Sequence, residues 1–517
     1  MKKKINHILP ALVLTASLGL TTVSCNGFLD EMPDNRTELN TDQKIAKLLV
    51  SAYADVSPNE LFELYSDNSD DSGPTYGYYK LSEQECYHWQ DTKEEYQDTP
   101  NSLWGGYYSA IAAANMALNA IEEKGNPASL DPQRGEALVC RAYCHFMLAN
   151  IFCNAYDTHA SQSLGVPYME EVETTVSPRY ERGTLEEVYR KVERDLLEGI
   201  DLISDDSYSV PKYHFTRKAA YAFAARFYLY YMKPDFSNCD RVIDFATRVL
   251  GTNPADLLRN WEALGNLSVN GNVQADAYIA SSNEANLLIS STVSNWGAIG
   301  SDYLIGPRYF HNQTLATSET CLSSGLWGSS DYFYLKPFST NGFVASILRK
   351  SGLYEGTYLY YMPVLFSTDE TLLCRAEAYA LKKMYAQSAA DITSWQRAYT
   401  RNKSVLTPEQ INTYYDKMSF YTPFTQQTPK KKLAPDFMIE EGMQENFIHC
   451  ILHIRRITTL HEGMRWPDIK RYGILIYRRD MVNQRVTDEM PPNDLRYAIQ
   501  IPRSVIVAGI QPNPRRN

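Results

Sequence analysis

Aromatic and hydrogen-bonding side chains occur together in two segments without a clear helical or strand-like pattern, residues 66–101 and 290–335. A sugar ring has an apolar C–H face that packs on tryptophan or tyrosine, and its hydroxyl groups need polar partners. We therefore expect these loops to bind an oligosaccharide, although for any single tyrosine a core position is the simpler interpretation. The candidate ligand-binding residues are Asp70, Asp71, Tyr76, Tyr78, Trp89, Trp296, Tyr303, Trp327 and Tyr332.

The first of these segments is also rich in side-chain oxygens, supplied by Asp67, Asn68, Asp70 and Asp71. Calcium takes about six to eight oxygen ligands. The spacing does not follow an EF-hand loop, because Gly73 comes too late and no glutamate closes the loop. A solvated turn is the simpler interpretation. A structural calcium ion, or carboxylates that accept hydrogen bonds from sugar hydroxyls, are the alternatives, and no other cofactor is indicated.

Two histidines, His449 and His453, have the i,i+4 spacing of metal ligands on a helix. A zinc protease helix would place glutamate directly after the first histidine, but Cys450 stands there, and Arg455 and Arg456 follow the second. Core or surface histidines are therefore favoured over a metal site. The sequence contains no serine-hydrolase, P-loop or dinucleotide-binding motif and no marked carboxylate pair, so we expect a binding protein and not an enzyme. A secreted glycoside hydrolase is the less favoured alternative.

The N-terminus has the pattern of a lipoprotein signal peptide. Lys2, Lys3 and Lys4 precede an apolar run that begins at Ile8, and small or polar residues lead to Cys25. We expect residues 1–24 to be removed and Cys25 to carry acyl chains such as palmitate, which would anchor the protein to a membrane outside the cytoplasm. Residues 25–40 would form a polar tether.

Net charge indicates which partners to expect, and cysteine spacing indicates the state of the thiols. The formal net charge of −11 becomes more negative when the three lysines of the signal leave, so nucleic acid is not an expected partner. The cysteines after Cys25 show no paired CxxC spacing. Four of them lie on apolar helical patterns and are expected to be buried free thiols: Cys140, Cys144, Cys374 and Cys450.

Helical periodicity dominates the rest of the chain. A helical scaffold of tetratricopeptide-type pairs is predicted over 41–251, with Thr41 and Thr216 near helix starts and a capping box from Thr184 to Glu187. A loop-rich insert follows at 252–345, without a helix longer than two or three turns. Residues 346–517 complete the scaffold. Helices are predicted there near 369–384, 386–402, 443–460 and 466–471, before an irregular end.

Several segments together resemble the RagB/SusD family of nutrient-binding outer-membrane lipoproteins of Bacteroidetes. Phe28-Leu29-Asp30 follows the lipid cysteine, and six further segments carry family-like motifs in the same order. They are LWGGYYSAIAAAN (103–115), GEALVCRAYCHFMLANIF (135–152), RGTLEEVYRKVERDLLEGI (182–200), TRKAAYAFAARFYLY (216–230), TLLCRAEAYAL (371–381) and RITTLHEGMRWPDIKRYG (456–473). Thr459 and the ending at 511–515 depart from the family pattern.

The resemblance implies a mainly α, SusD-like fold and a lipid-anchored position on the outer membrane, at the cell surface. It implies an oligosaccharide ligand passed to a SusC-like TonB-dependent transporter, with a peptide ligand, as in the RagB branch, as the alternative. No ligand-contact residue can be carried over by motif. In the C-terminal signature we expect Arg465 to pair with Asp468, Trp466 to pack between helices and Gly463 to allow a sharp turn.

Overall fold

Helices make up most of the regular structure in the computed structural model, which describes residues 39–76, 79–175, 179–268, 273–296, 308–335, 338–340, 343–345, 352–355 and 358–515. In these residues the helices are α1 (Asp42–Leu48), α2 (Asn59–Tyr65), α3 (Leu81–Tyr87), α4 (Pro100–Glu123), α5 (Asp131–Phe152), α6 (Leu185–Leu202), α7 (Arg217–Tyr230), α8 (Ser237–Leu250), α9 (Trp261–Gly265), α10 (Val273–Ile279), α11 (Gln313–Glu319), α12 (Thr368–Leu381), α13 (Tyr385–Tyr399), α14 (Pro408–Lys417), α15 (Met443–Thr458), α16 (Arg465–Tyr472) and α17 (Arg503–Val507). The mainly α architecture expected from the sequence is therefore confirmed.

The strands are short. They are β1 (Asp70–Asp71), β2 (Asn286–Ile289), β3 (Thr292–Val293), β4 (Tyr309–Phe310), β5 (Phe338–Thr340), β6 (Phe343–Ala345), β7 (Gly352–Glu355), β8 (Tyr358–Tyr361), β9 (Val364–Ser367), β10 (Ile476–Asp480) and β11 (Arg485–Met490). One sheet has the order β11-β10-β1-β4, in which β1 runs parallel to β10 and antiparallel to β4. This sheet joins three parts of the chain that are far apart in sequence.

The helix pairs pack where small residues let backbones approach. Helix α5 lies against α4 and α6, and α12 contacts α8, α13 and α15. At the α5–α6 contact, a Cβ on Gly135 would lie 2.8 Å from the Gly199 carbonyl oxygen, so a larger residue does not fit without a shift. On α7, Ala219, Ala220 and Ala224 are fully buried, as their helical spacing predicts.

The helix starts predicted at three threonines are confirmed. The side chains of Thr41, Thr184 and Thr216 each accept a hydrogen bond from a backbone N–H in the first turn of α1, α6 and α7, and Thr184 and Glu187 form a complete capping box. The cysteines at 140, 144, 374 and 450 are buried free thiols, as predicted. Within the described part of the insert, the longest helix has seven residues, which also agrees with the prediction. No helix among the described residues has the length and apolar character needed to cross a membrane.

Two irregular assignments were wrong. Residues 66–101 contain β1 and α3, and the C-terminal part contains the hairpin β10–β11. Strand β1 is two aspartates, which are unfavourable strand residues, and it exists because neighbouring strands and cations hold it in place. Helix α14 was not anticipated either. Its start is nevertheless marked in the sequence by Thr407, which forms a capping box with Gln410.

The segment that leads into β1 is fixed by five buried charged side chains, here called the Asp67 cluster: Asp67, Glu319, Lys431, Arg456 and Arg465. Arg465 donates two hydrogen bonds to Asp67 at 2.7 and 2.9 Å, and Lys431 donates a third at 2.6 Å. Arg456 and Lys431 both pair with Glu319, at 2.6 and 2.9 Å. Burial alone would raise the pKa of Asp67, but Arg456, Arg465 and Lys431 lower it well below its ordinary value.

The Asp67 cluster corrects the expected pairing in the C-terminal signature. Arg465 does not pair with Asp468, which instead forms ion pairs with Arg455 at 3.1 Å and Arg471 at 2.9 Å. Trp466 packs between the rings of Tyr65 and Tyr497, as expected for a residue between helices. Gly463 has a φ of +73° in the predicted turn, and its backbone N–H donates to Glu63 at 3.0 Å.

A second buried group of carboxyls lies just before α4 and connects Asp98 to residue 295. Glu60 and Asp98 share a side-chain hydrogen bond beside Glu83 and Lys80. The backbone N–H of Asn295 donates to Asp98 at 2.8 Å. Burial, followed by the charge of Asp98, raises the pKa of Glu60 well above its ordinary value, so the folded protein retains a proton here.

Replacing Asp67 by Asn should destabilise the protein by about 3–5 kcal/mol at neutral pH, because three buried cations would then share one carboxylate. Chemical denaturation followed by circular dichroism measures this. The matched control is Asp240→Asn, which removes an exposed partner of Lys382 and should cost no more than about 1 kcal/mol. Equal effects of the two substitutions would contradict the role assigned to the cluster.

The free energy of unfolding should fall less steeply with rising pH when Glu60 is replaced by Gln. A glutamate in the unfolded chain releases its proton near pH 4.3, whereas folded Glu60 keeps it to a higher pH, so stability falls between those two values. The melting temperature of the variant should exceed that of the wild type at pH 8, and the two melting temperatures should lie closer together at pH 4. Glu198→Gln, at a partly exposed site, is the control, and an unchanged pH profile in Glu60→Gln would refute the assignment.

Candidate functional site

The sheet β11-β10-β1-β4 places two adjacent aspartates on opposite faces. Successive strand residues point to opposite sides, so Asp70 faces inward and Asp71 faces outward. The buried Asp70 pairs with Arg479 and accepts a hydrogen bond from Asn312 at 3.4 Å. Asp71 forms a bidentate pair with Arg308, with both contacts at 2.8 Å.

Around this edge of the sheet, aromatic rings alternate with guanidinium groups in what we call the aromatic–guanidinium stack. In spatial order its members are Tyr79, Arg308, Tyr309, Tyr87, Arg478, Trp89 and Arg496. Arg308 lies 5.4 Å from the ring centre of Tyr79 and 5.0 Å from that of Tyr309. Arg478 lies 4.2 Å from the ring of Tyr87 and 4.1 Å from that of Trp89. Cation–π contacts of this kind are strongest where water is excluded.

Buried hydrogen bonds hold the middle of the stack. The Arg478 guanidinium donates to the carbonyl oxygens of Leu64, Tyr65 and Ser66 at 2.7 to 2.9 Å. No carboxylate of the described part of the chain pairs with it directly, and burial lowers the pKa of Arg478 to about 10. The backbone N–H of Asp71 donates to the Tyr87 hydroxyl at 3.1 Å. The central rings are therefore fixed in position by the backbone around β1.

The outer end of the stack, which we call the Tyr79 end, consists of Tyr79, Arg308 and Asp71. Tyr79 is 38% exposed, whereas Tyr309 and Tyr87 behind it are buried. Arg308 uses Nε and Nη2 for Asp71, and its Nη1 makes no hydrogen bond to a described residue. The Tyr79 end thus presents an open aromatic ring next to one hydrogen-bond donor and one carboxylate, groups that suit a hydroxylated ring.

The predicted residues of the first loop are partly brought together here. Asp71 belongs to the Tyr79 end and Trp89 to the buried part of the stack, where its indole N–H donates to the Tyr65 carbonyl at 2.9 Å. Tyr76 is half-buried in the turn after β1, and its backbone N–H donates to Gly73. Tyr78 lies outside the described residues, as does Tyr303 of the second loop.

The predicted residues of the second loop are not gathered into one surface. Trp327 is fully buried against Trp395, Phe333 and His453. Trp296 is buried against Phe310, and its indole N–H donates to the His461 carbonyl at 2.9 Å. Tyr332 is 43% exposed. Both tryptophans are buried, which does not favour direct ligand contact, and their part in ligand binding stays a prediction.

The interpretation of 65–74 as a solvated turn is also wrong, because residues 66–70 are buried. Their oxygens face cations of the protein: Asp67 faces Arg465 and Lys431, Asp70 faces Arg479, and Asn68 accepts from Arg456. This donor set does not suit calcium, which would lie beside guanidinium and ammonium groups. Among the described residues, no three histidine, cysteine or acidic side chains are grouped so as to hold a metal ion.

The histidines at 449 and 453 lie in the core, one of the two locations that sequence favoured. His453 contacts the hydroxyls of Tyr415 at 3.0 Å and Ser323 at 3.3 Å, and burial lowers its pKa to about 3. His449 is buried beside Glu445. Glu462 of the C-terminal signature accepts a hydrogen bond from the Tyr278 hydroxyl at 2.5 Å. These contacts are structural.

Sequence reasoning missed Tyr87, Arg308 and Arg478. Tyr79 and Tyr309 belong to the aromatic residues of the two predicted loops, whereas the two arginines gave no compositional signal. Arg308 and Tyr309 meet Asp71 only because β4 pairs with β1 across more than 200 residues of chain.

Comparison with known proteins agrees with this architecture. Residues 27–229 match the SusD-like_3 family, described as "Starch-binding associating with outer membrane". No curated protein sequence matches the chain significantly. A SusD superfamily protein from Bacteroides vulgatus has a similar structure with 19% identity and a TM-score of 0.59, covering 92% of this chain and 98% of its own. One from Bacteroides thetaiotaomicron has 16% identity and a TM-score of 0.60, with 91% and 98% covered.

A SusD-like carbohydrate-binding protein from Bacteroides vulgatus is similar as well, with 14% identity, a TM-score of 0.61, and 90% of this chain and 96% of that chain covered. At these identities the structural matches establish the fold. The family match covers the N-terminal part, and the sequence motifs continue in the same order through the C-terminal signature. Residues 27–229 therefore match the SusD-like family, and the described chain has a SusD-like fold.

Proposed function

We propose that the protein is a cell-surface lipoprotein that binds an oligosaccharide at the Tyr79 end and passes it to a SusC-like TonB-dependent transporter in the outer membrane. The observation that carries the proposal is the exposed ring of Tyr79 beside Arg308 Nη1 and Asp71. The SusD-like fold, and the carbohydrate binding named for one similar structure, support it. Membrane attachment would come from Cys25.

The chemistry of the Tyr79 end suits a saccharide. The C–H face of a sugar ring can lie on the open face of Tyr79, because the other side of that ring is taken by Arg308. Hydroxyl groups at the ring edge can accept from Arg308 Nη1 and donate to Asp71. Since the stack behind Tyr79 is already packed, little side-chain entropy is lost when a ligand binds.

The proposed role is binding without catalysis. Three carboxylates around the Tyr79 end pair with arginines: Asp71 with Arg308, Asp70 with Arg479, and Asp480, opposite Asp71 in the strand ladder, with Arg485. A glycosidase needs one carboxyl that donates a proton and a second that acts as base or nucleophile. Carboxylates held by guanidinium groups are poor proton donors, so this arrangement supports recognition of a glycan and not its hydrolysis.

Replacing Tyr79 by Ala, or Arg308 by Ala, should weaken glycan binding about tenfold or more, because each removes one of the two contacts a sugar ring would make. Isothermal titration against a panel of plant and host oligosaccharides and a peptide mixture measures this. Tyr332→Ala is the matched comparison, since Tyr332 is similarly exposed but is not part of the aromatic–guanidinium stack. Loss of binding in Tyr332→Ala alone would move the site to Tyr332, and binding of peptides but no glycan would favour the RagB-like alternative.

Replacing Cys25 by Ser should release the protein from the outer-membrane fraction, because serine cannot form the thioether to lipid. Cell fractionation and incorporation of labelled palmitate measure the effect. Cys321→Ser, at a half-buried cysteine, is the control and should leave both unchanged. Full membrane retention and labelling of Cys25→Ser would contradict the lipid anchor.

A further inference from the structure

A pocket of about 480 Å³, here called the Glu136 pocket, opens between the start of the scaffold, α4, the residues before α7, and the end of β2. It shares no residue with the aromatic–guanidinium stack. Its volume falls in the range of about 300–1,000 Å³ that is typical of small-molecule sites. Its lining includes Tyr53, Tyr213, His214, Ser109 and Ser291, and Glu136 lies behind them.

The back of the pocket is a buried hydrogen-bond network centred on Glu136. The same oxygen, Oε1, accepts from the Tyr53 hydroxyl at 2.6 Å and contacts His214 Nδ1 at 2.7 Å. The Tyr53 hydroxyl in turn accepts from the Phe215 backbone N–H at 2.7 Å. The ring of Tyr208 stacks on His214 with centres 4.5 Å apart. His214 is therefore held in one orientation by a carboxylate and an aromatic ring.

This network leaves one nitrogen of His214 for a ligand. Because a carboxylate accepts from Nδ1, the neutral ring carries its proton there, and Nε2 is an acceptor. Nε2 makes no hydrogen bond to a described residue. The buried carboxylate of Glu136 and the stacked ring of Tyr208 fix the orientation of His214, whose side chain is 21% exposed.

The other lining groups are mostly neutral and polar. The hydroxyls of Ser51, Ser109, Ser290 and Ser291 make no side-chain hydrogen bond to described residues, and Tyr213 offers a ring that is 38% exposed. Among the described residues, no lysine or arginine lines the pocket, so the lining offers no positive charge to an anionic ligand. The charged lining group is Asp55, which lies exposed at the rim.

We propose that the Glu136 pocket is a second ligand site, which binds a neutral saccharide of one or two rings, with His214 Nε2 and the serine hydroxyls on its hydroxyl groups and Tyr213 against its C–H face. The site goes beyond the oligosaccharide surface at the Tyr79 end. It would hold a short sugar in a half-open pocket, whereas the Tyr79 end is open to a long chain.

The test is titration of the full chain with neutral mono- and disaccharides, with their uronic-acid and amino-sugar counterparts alongside, by saturation-transfer NMR and calorimetry. Tyr213→Ala should weaken binding of the neutral sugar about tenfold, because it removes the stacking face. Ser291→Trp, which fills the exposed mouth without touching the Glu136 network, should abolish it. Melting curves of both variants check that the fold is intact.

Tyr79→Ala should leave this binding unchanged, which separates the pocket from the proposed function of the stack. Failure of the Tyr79 end with retained pocket binding would count against the proposed function alone. The second site is overturned if no neutral sugar binds, if charged sugars alone bind, or if neutral-sugar binding survives both Tyr213→Ala and Ser291→Trp.

Discussion

The carboxylate of Asp67 is buried and must be partnered, and this requirement organises the structure around β1. It is buried together with two arginines, a lysine and Glu319, and an unpaired charge at that depth would cost several kcal/mol. Its partners come from residues 431, 456 and 465, while Asp67 itself follows α2. The chain before β1 is therefore held against α15 and α16, and Asp70 and Asp71 take their positions from it.

Beyond β1, aromatic rings and guanidinium groups pack against one another in series and fix each other's positions. Arg478 joins β10 to the backbone at the end of α2, and Tyr87 and Tyr309 stack between Arg478 and Arg308. Each arginine can satisfy its flat faces with rings and its edges with oxygen atoms, which suits it to such a site better than lysine. As a result an exposed tyrosine stands on a rigid support, and rigid aromatic surfaces lose little entropy when they bind.

What could be predicted from the sequence was local. Threonine caps, helical periodicity and the alanine-rich face of α7 located the helices, because those signals depend on neighbours along the chain. The burial of Trp296 and Trp327 could not be predicted in this way. Both lie in segments rich in glycine and serine without periodicity, and they are covered by side chains from elsewhere, including Trp395 of α13 and His453 of α15.

The acidic segment 67–71 shows the same limit for charge. From composition it resembles a solvated turn, but the cations that bury it lie more than 200 residues away, at Arg308, Arg456, Arg465 and Arg479.

The most direct test of the account is a crystal structure of the protein with an oligosaccharide selected by titration. The account predicts a sugar ring on the open face of Tyr79, with hydroxyls within hydrogen-bond distance of Arg308 Nη1 or Asp71. An oligosaccharide bound elsewhere, with Tyr79 and Arg308 facing solvent, would contradict it.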